Sequence, residues 1–134
     1  MPSNKKVGND FEATFCEILF NHGFWVHNIA QNQAGQPADV IAVRNKVSYL
    51  IDCKVCSTSK GFTPDRMEDN QDLSMRLWEE CGNGEGWFAI LFADEIYMIP
   101  HLIVDVFAQL RYTLSPKVIS TAGKPLDEWM KSCR

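Results

Sequence analysis

The sequence of 134 residues lacks the usual marks of membrane and secreted proteins. No apolar run approaches the roughly 18 residues of a membrane span. The N-terminal segment MPSNKKVGNDFEATF has no apolar stretch of the kind found in a secretory signal. The five cysteines are odd in number and scattered, so they do not predict a disulfide framework. We therefore expect a cytoplasmic protein without a membrane partner, in which residues 1–134 form a single domain.

Metal-binding spacings of cysteine and histidine are also scarce. Cys53 and Cys56 have CxxC spacing, but a zinc site needs a second pair of ligands. The three histidines, His22, His27 and His101, offer no matching spacing. A redox CxxC motif would open a helix, whereas Cys53 falls inside a strand pattern. A small redox or metal protein that uses this pair stays open as an alternative, and the absence of tightly bound zinc would exclude it.

An overall excess of basic residues is missing as well, since the formal net charge is −4. Residues 65–110 carry ten acidic and two basic side chains, a balance of −8, while the segments before and after them are at +1 and +3. This argues against a uniformly basic nucleic-acid-binding surface. The basic residues nearer the two ends are still able to line one face; they are Lys5, Lys6, Arg44, Lys46, Lys60, Arg111 and Lys117. Charge alone therefore leaves the partner open.

Hydrophobic periodicity predicts helices and strands in the order α-β-β-β-α-β-β-α, and a further short helix follows after an irregular piece. In the first helix, apolar residues from Val7 to Leu19 share one face, and Gly23 follows as a stop signal. The predicted helices are about residues 5–21, 66–82, 102–110 and 126–133, and the strands are about 24–30, 38–44, 48–55, 86–93 and 95–100. Residues 111–125 are expected to be irregular. This is an α/β fold with a central mixed sheet of about five strands flanked by helices.

The stretch PADVIAVRNKVSYLIDCK, residues 37–54, places charges inside two apolar strands. Asp52 and Lys54 are two residues apart, so they share one face of the second strand. A tight turn around Asn45 would place Asp39 opposite residue 51 or 52. The two carboxylates are thus expected to meet at one end of a hairpin, with Lys54 just beyond.

Adjacent carboxylates repel each other unless a cation lies between them. Oxygen ligands suit Mg²⁺ or Mn²⁺, and a nearby ammonium group is able to orient a water molecule and stabilise charge on a phosphate. Hydrolysis of a phosphodiester requires this combination. The alternative is an ordinary salt bridge between Asp52 and Lys54 on an exposed strand, which would contribute little.

These residues resemble the motif of the PD-(D/E)xK nucleases, with Pro37-Ala38-Asp39, then Asp52-Cys53-Lys54, and a preceding helix that bears Glu12. Within that superfamily the sequence is most similar to small Holliday junction resolvases, archaeal and RecU-like. The similarity includes GNDFEATFCEILFNHGF (residues 8–24) and DNQDLSMRLWEECG (residues 69–82), and it covers roughly residues 5–105. It implies a restriction-endonuclease-like core over residues 5–105 and a C-terminal helical extension over residues 106–134.

The resemblance also implies roles for individual residues. A Mg²⁺ site, at which Mn²⁺ could substitute, would be formed by Asp39, Asp52, the backbone carbonyl of Cys53, and Glu12 either directly or through water. Lys54 would be the catalytic lysine that orients or helps to deprotonate the attacking water, and Gln71 would lie beside the site. Asn9-x-x-Glu12 also fits a capping box, in which Glu12 would only satisfy backbone N–H groups.

The implied activity is metal-dependent endonucleolytic cleavage of DNA, most specifically the resolution of four-way junctions, with 5′-phosphate and 3′-hydroxyl ends. DNA contacts are expected from Lys5, Lys6 and Lys60, and from the loop amides of Gln31, Gln33 and Gln36. A homodimer is expected, because a resolvase cuts two strands symmetrically. Core packing accounts for most of the later aromatic residues, Trp78, Trp87, Phe88, Phe92 and Tyr97, and the remainder are candidates for the dimer interface.

Two related alternatives remain open on the sequence. One is a restriction- or repair-type nuclease of the same fold that acts on duplex, flap or single-stranded DNA. The other is a non-catalytic DNA-binding relative. The intact set of Asp39, Asp52 and Lys54 argues against the non-catalytic protein, because such a domain has no need to hold these charges together.

Overall fold

The computed structural model describes residues 3–29 and 38–133 as a mixed α/β fold. A 3₁₀ turn, Pro64–Arg66, precedes the second helix. The elements are α1 (Asn4–Asn21), β1 (Trp25–Asn28), β2 (Val40–Arg44), β3 (Val47–Val55), α2 (Asp69–Glu80), β4 (Trp87–Phe92), β5 (Glu95–Pro100), α3 (His101–Gln109), α4 (Pro116–Ala122), β6 (Lys124–Pro125) and α5 (Leu126–Ser132). The predicted order is present, and α4 and β6 are added where the sequence suggested irregular structure.

The strands form one sheet in the order β1-β2-β3-β4-β5-β6. Among the described strands the β3–β4 pair is parallel and the other neighbours are antiparallel. The parallel pair needs a long crossover, which α2 supplies. The predicted mixed sheet flanked by helices is confirmed, with a sixth strand, because Lys124 and Pro125 pair with Met98 and Tyr97.

Helices cover both faces of the sheet, and each face has its own apolar core. On the first face α1 and α5 pack on the sheet through Phe11, Phe15, Leu19, Leu126, Trp129 and Met130. On the second face α2, α3 and α4 pack through Met75, Val104 and Ile119. Because β4 is covered on both faces, its sequence WFAILF reads as a continuous apolar run.

The β2–β3 hairpin sets the register of the central charged residues. Asn45 and Lys46 both have positive φ, 53° and 68°, as a two-residue hairpin turn of type I′ requires. The hairpin pairs Val40 with Ile51. Asp39 therefore falls opposite Asp52, which agrees with the register predicted from the Asn45 turn.

The start of α4 has a recognisable signal that the sequence analysis did not use. The Ser115 hydroxyl accepts a hydrogen bond from the Val118 backbone N–H at 3.3 Å, and Pro116 occupies the first helical turn. Serine at the N-cap followed by proline is a favoured helix start. β6 is only two residues long, which is too short for a period-2 pattern to register.

Arg44 does not belong to an exposed basic face, and that expectation is wrong. Its guanidinium lies 4.2 Å from the centroid of the Phe24 ring and donates hydrogen bonds to the carbonyl oxygens of His22 and Met130. The side chain thus joins the end of α1 to α5. A cation used in this way is not available to a phosphate.

The later aromatic residues lie mainly in the two cores. Phe88 and Phe92 are buried, and Trp78, Trp87 and Tyr97 are partly buried and pack against the apolar clusters. Core packing, which the sequence analysis favoured for most of them, therefore holds.

Candidate active site

The middle strand β3 carries Asp52 and Lys54 on the face covered by α2. Asp52 is 1% exposed, and Lys54 Nζ lies 3.2 Å from Asp52 Oδ2. Cys53, between them, points to the opposite face and packs on the α1 side. Strand alternation thus holds the two charges together, and it turns the thiol away from them.

Asp39 lies at the bend before β2 and is tied to β3 by its backbone and by its side chain. Its N–H donates to the Ile51 carbonyl at 3.1 Å, and its Oδ2 accepts from the Cys53 N–H at 2.8 Å. Asp39 is also close enough to Asp52 to raise the pKa of that carboxyl group. The register thus brings the two carboxyl groups next to each other.

Burial of Asp52 raises its pKa well above the usual range, and the neighbouring Asp39 raises it further, while the Lys54 ammonium acts in the opposite direction. Two neighbouring carboxyl groups repel each other when both are charged. Within the described residues, Asp52 Oδ2 is buried and has no aligned hydrogen bond, although it faces Lys54. A cation bound next to Asp39 and Asp52 would therefore stabilise this pair of carboxyl groups.

Glu12 reaches the same group from α1. Burial and the field of Asp39 raise the pKa of Glu12 to about 7, while Lys54 lowers it. The capping alternative is wrong, because α1 begins at Asn4 and its N-cap is Ser3, whose hydroxyl accepts from the Lys6 N–H at 3.2 Å. Glu12 lies inside the helix and has no cap to form.

Gln71 is buried in the first turn of α2, and its side chain connects the start of this helix to Asp52 on β3. Its Oε1 accepts from the Glu68 N–H at 3.1 Å, which forms half of the capping box of α2. Its Nε2 donates to Asp52 Oδ1 at 3.2 Å. The position four residues later is Met75, which is fully buried in the core. The sequence pattern Glu68-x-x-Gln71 predicts this capping box, but the capping role of Gln71 was not among the predictions made from the sequence.

A cleft of about 890 Å³ opens beside Lys54. Its lining comes from the first turns of α1, the end of β3, and the loop that leads to the 3₁₀ turn. Lys60 belongs to this lining. Lys5 and Lys6 are exposed on α1 outside the lining, and Lys6 pairs with Asp10 at 2.9 Å. Gln31, Gln33 and Gln36 lie outside the described residues.

Arg66 is a cleft residue that sequence reasoning missed. Its guanidinium donates to the Val55 carbonyl at 3.1 Å and lies 6.0 Å from the centroid of the Phe62 ring. It lines the cleft together with Lys54 and Lys60. Arg66 lies in a segment with a strongly negative net charge, so it was not considered as part of a basic surface. The net charge of a segment does not show which of its side chains share a surface.

Cys53 and Cys56 do not form a joint site. They belong to opposite cores, with Cys53 on the α1 side and Cys56 among the buried residues of the other face. Burial raises the pKa of each thiol. Two thiols on opposite faces of a sheet do not share a metal ion, and a raised pKa disfavours the thiolate that redox chemistry needs. This geometry rules out the alternative of a redox or metal protein built on that pair.

A divalent cation fits the carboxyl group of β3 and its neighbours. Asp39, Asp52 and Glu12 supply oxygen atoms, which Mg²⁺ and Mn²⁺ prefer as ligands. The buried Asp52 Oδ2 that lacks a hydrogen bond is the atom that most needs a cation. The residues present therefore suit such an ion.

A second group of potential ligands lies between α2 and α3. Ligand atoms of Asp72, His101 and Asp105 all lie within 4.8 Å of one another. Asp72 is 2.7 Å from His101 Nε2, and Arg76 pairs with both Asp72 and Asp105. Because Arg76 already compensates the two carboxylates, this group is an ion-pair network that joins the two helices.

Comparison with known proteins agrees with this fold. The model of the family described as archaeal Holliday junction resolvase (hjc) matches residues 3–133. The chain belongs to this family. The match includes the C-terminal segment beyond residue 105, which the resemblance seen in the sequence did not cover.

Among the solved structures that match, one is similar to the resolvase over nearly its whole length. It is that of Archaeoglobus fulgidus Hjc, a Holliday junction resolvase from an archaeal hyperthermophile, with a TM-score of 0.66 and 16% identity. The similarity covers 92% of this chain and 95% of that chain. At this identity it shows a shared fold. No curated protein matched the sequence.

The activity of this resolvase follows from the family to which it belongs. It is an endonuclease, a hydrolase that binds branched DNA and resolves four-way junctions. Resolvase nucleases use divalent metals, in keeping with the carboxyl-rich site. In the part of the chain that the structure describes, no helix is both long and apolar enough to cross a membrane.

Proposed function

We propose that this resolvase is a Mg²⁺-dependent enzyme, with Mn²⁺ able to substitute, and that its active centre is the group around Asp52. Asp39, Asp52 and Glu12 would hold the ion, together with the backbone carbonyl of Cys53. The observation that carries this proposal is the buried Asp52 Oδ2, which lies 3.2 Å from Lys54 Nζ, lacks an aligned hydrogen bond and adjoins a second carboxyl group.

The bound ion would polarise a phosphoryl oxygen and make water a stronger nucleophile at neutral pH. The other contributions come from the protein. Lys54 lies at the edge of the cleft, where its ammonium orients the attacking water and stabilises negative charge on the phosphate. Gln71 fixes Asp52 through Oδ1. In the metal-free protein the pKa of Glu12 is raised to about 7, and a bound ion would favour its charged form.

The cleft beside Lys54 is the proposed path of the cut strand. Lys60 and Arg66 line it, and exposed lysines on α1, Lys5 and Lys6, extend positive charge beyond its rim. Contacts between such side chains and phosphates position a duplex without reading its sequence. The loop amides of Gln31, Gln33 and Gln36 stay a prediction.

The test compares a synthetic four-way junction with a linear duplex of matching sequence, in Mg²⁺ and in chelator. We expect the wild type to make paired, symmetric nicks in the junction only, and Asp52→Asn to bind the junction without cutting it. Asp127→Asn, an exposed acidic residue of α5, serves as the matched control and should cut normally. Cutting of both substrates would instead indicate a restriction- or repair-type nuclease.

A second readout is independent of cleavage. Without metal, Asp52→Asn should unfold at the same temperature as the wild type or higher, because burial and the neighbouring Asp39 disfavour the charged form of Asp52 and the amide carries no charge. Mg²⁺ should stabilise the wild type against unfolding and leave the variant unchanged, since a ligand that binds only the folded state stabilises it. Equal stabilisation of both proteins by Mg²⁺ would place the metal elsewhere.

We also propose a homodimer that is formed through α2 and α3. Apolar side chains at a spacing of four are exposed on both helices: Leu73 and Leu77 on α2, and Leu102, Val106 and Leu110 on α3. The Arg76–Asp105 ion pair, at 2.7 Å, connects the two helices. Two exposed apolar stripes on neighbouring helices are suited to an isologous contact with a second copy.

Sedimentation velocity tests the dimer. Leu73→Glu combined with Val106→Glu should convert a dimer to a monomer, whereas Phe20→Glu, at a more exposed apolar residue of α1, should leave the dimer intact. The monomeric variant should lose paired nicking first. If the wild type sediments as a monomer on and off the junction, the dimer proposal is wrong.

Residues 1–134 are proposed to act as a single nuclease domain, with a core over residues 5–105 and a C-terminal extension over residues 106–134. The extension contributes β6 to the sheet and α5 to the α1 side. A cytoplasmic location is proposed because branched DNA is the substrate.

A further inference from the structure

An exposed aromatic pair lies on the edge strand β1. Trp25 is 62% exposed, and His27, two residues later, is also exposed. Their rings are nearly parallel, with centroids 6.2 Å apart and an angle of 14° between the planes. Each ring supports the other, so the pair presents flat aromatic surface to the solvent.

The strand register places this pair on the face of the sheet that carries Asp52. His27 pairs with Ile41, and Ile41 pairs with Leu50. Paired residues of antiparallel strands point to the same face, and so do residues two apart in one strand. Trp25 therefore shares a face with His27, and His27 shares it with Leu50 and Asp52.

The pair is also close to the active centre. His27 is two strands across and two residues along from Asp52, which corresponds to about 12 Å, and Trp25 is at about 16 Å by the same spacing. The end of β1 is joined to the site directly, since the Ile29 N–H donates to the Asp39 carbonyl at 2.8 Å. A duplex advances about 3.4 Å per nucleotide, so DNA that reaches Asp52 passes the aromatic pair within about five nucleotides.

The helices on this face leave β1 open. α2 contacts β3, while α3 and α4 contact β5. The apolar stripes proposed for the dimer lie on α2 and α3, away from the β1 edge of the sheet. The Trp25 indole is exposed to solvent beside the nuclease centre, and the neighbouring His27 ring fixes its plane. Such a ring is suited to stacking on a flat partner.

We propose that Trp25, supported by His27, stacks on a base pair at the branch point of four-way DNA, next to the cut strand. This inference rests on the function proposed above. Bases inside a continuous duplex are stacked on both sides, whereas the base pair that ends an arm at a branch point is able to present one face to an aromatic side chain. The contact would favour branched over linear DNA without reading sequence. It would also add affinity that does not depend on phosphate contacts, which a chain of net charge −4 needs.

The experiment measures binding in chelator, where no cutting occurs. The probes are a four-way junction with 2-aminopurine at the branch point, the same junction with 2-aminopurine inside an arm, and a linear duplex. We expect Trp25→Ala to weaken junction binding about tenfold, Trp25→Phe to retain most of it, and both to leave duplex binding unchanged. Phe20→Ala, the matched exposed aromatic control on α1, should change neither.

The fluorescence signal identifies the contact. Wild-type protein should change 2-aminopurine emission at the branch point more than in the arm, and Trp25→Ala should abolish the difference. Equal weakening on junction and duplex, or no weakening at all, would overturn the proposal. The proposal would also be overturned if Trp25→Ala melts at a lower temperature or sediments differently while the branch-point fluorescence stays as in the wild type. Trp25 would then pack within the protein or between two copies of it. A wild type that cuts junctions normally in any of these cases preserves the proposed function.

Discussion

The Gln71 side-chain amide donates to Asp52 Oδ1 at 3.2 Å, and the same side chain caps the helix that carries it. The start of α2 and the acidic centre of β3 are thereby coupled. An amide is able to make both contacts at once, since Oε1 accepts from a backbone N–H while Nε2 donates to a carboxylate.

Removing this amide should affect both stability and cleavage. We expect Gln71→Ala to lower the free energy of unfolding by about 1–2 kcal/mol, because it removes half of a capping box and a buried hydrogen bond. Cleavage should fall further than stability explains, since Asp52 loses its anchor. Glu68→Ala is the control, because it weakens the cap and leaves the bond to Asp52. If both variants lose the same activity in single-turnover cleavage, Gln71 has only a capping role.

Glu12 makes the metal-free protein sensitive to pH. Its pKa is raised from 4.5 to about 7 in the fold, so between these values the folded state holds a proton that the unfolded state has lost. The stability contributed by neutral Glu12 is therefore full below pH 4.5 and is lost as the pH rises through about 7. Urea unfolding in chelator should show a fall of roughly 2 kcal/mol from this group across that range.

Glu12→Gln should remove that pH dependence, because the amide does not titrate. Glu17→Gln, an exposed glutamate of the same helix, should follow the wild type. Parallel pH profiles for the wild type and Glu12→Gln would show that Glu12 is not held near neutral pH by the site.

Gly61 controls the loop that lines the cleft. Its φ is +69°, and a Cβ at this position would lie 2.2 Å from the Leu114 carbonyl oxygen. We expect Gly61→Ala to lower the free energy of unfolding by about 2–3 kcal/mol and to weaken junction binding, because Lys60 lies next to it in the cleft lining. Gly84→Ala, where a Cβ meets open space, should be nearly neutral. Denaturant unfolding and equilibrium binding check both effects, and a neutral Gly61→Ala would refute the close approach.

Two non-glycine residues in the β4–β5 turn have positive φ, and substitution by glycine should relieve this backbone strain. Ala93 and Asp94 have φ values of 51° and 63°, the left-handed region that glycine adopts most easily. We expect Asp94→Gly to raise the free energy of unfolding by about 0.5–1 kcal/mol. The same change at Asp127 in α5 should lower it, since glycine is unfavourable in a helix. Thermal unfolding distinguishes the two, and a loss at residue 94 would contradict the turn geometry.

The hairpin geometry was predictable because local chemistry determines it. Asn45 tolerates positive φ, which fixes the turn and hence the register of Asp39 against Asp52. The face of α1 was readable for the same reason, from the spacing of its apolar residues. Family membership was recognisable because the motif is carried by these two local structures.

Other features depend on contacts that are distant in sequence. Arg44 was placed with the exposed cations, yet Met130 and Cys133, far along the chain, supply carbonyl acceptors for it. Sequence pattern gives the charge of a side chain, but its partner depends on how the helices pack. α4 and β6 were missed because each is short and gains its stability from the sheet rather than from its own periodicity.

β3 is bonded on both sides, to β2 and to β4, and both of its faces are covered. Backbone amides at such a position are released for exchange with solvent deuterium only when the whole molecule opens. Ile51 pairs with Val40 on one side and with Trp87 on the other, so its backbone amide should be among the slowest to exchange. The geometry around Asp52 is thus expected to survive local breathing of the loops, and to be lost only when the sheet itself comes apart.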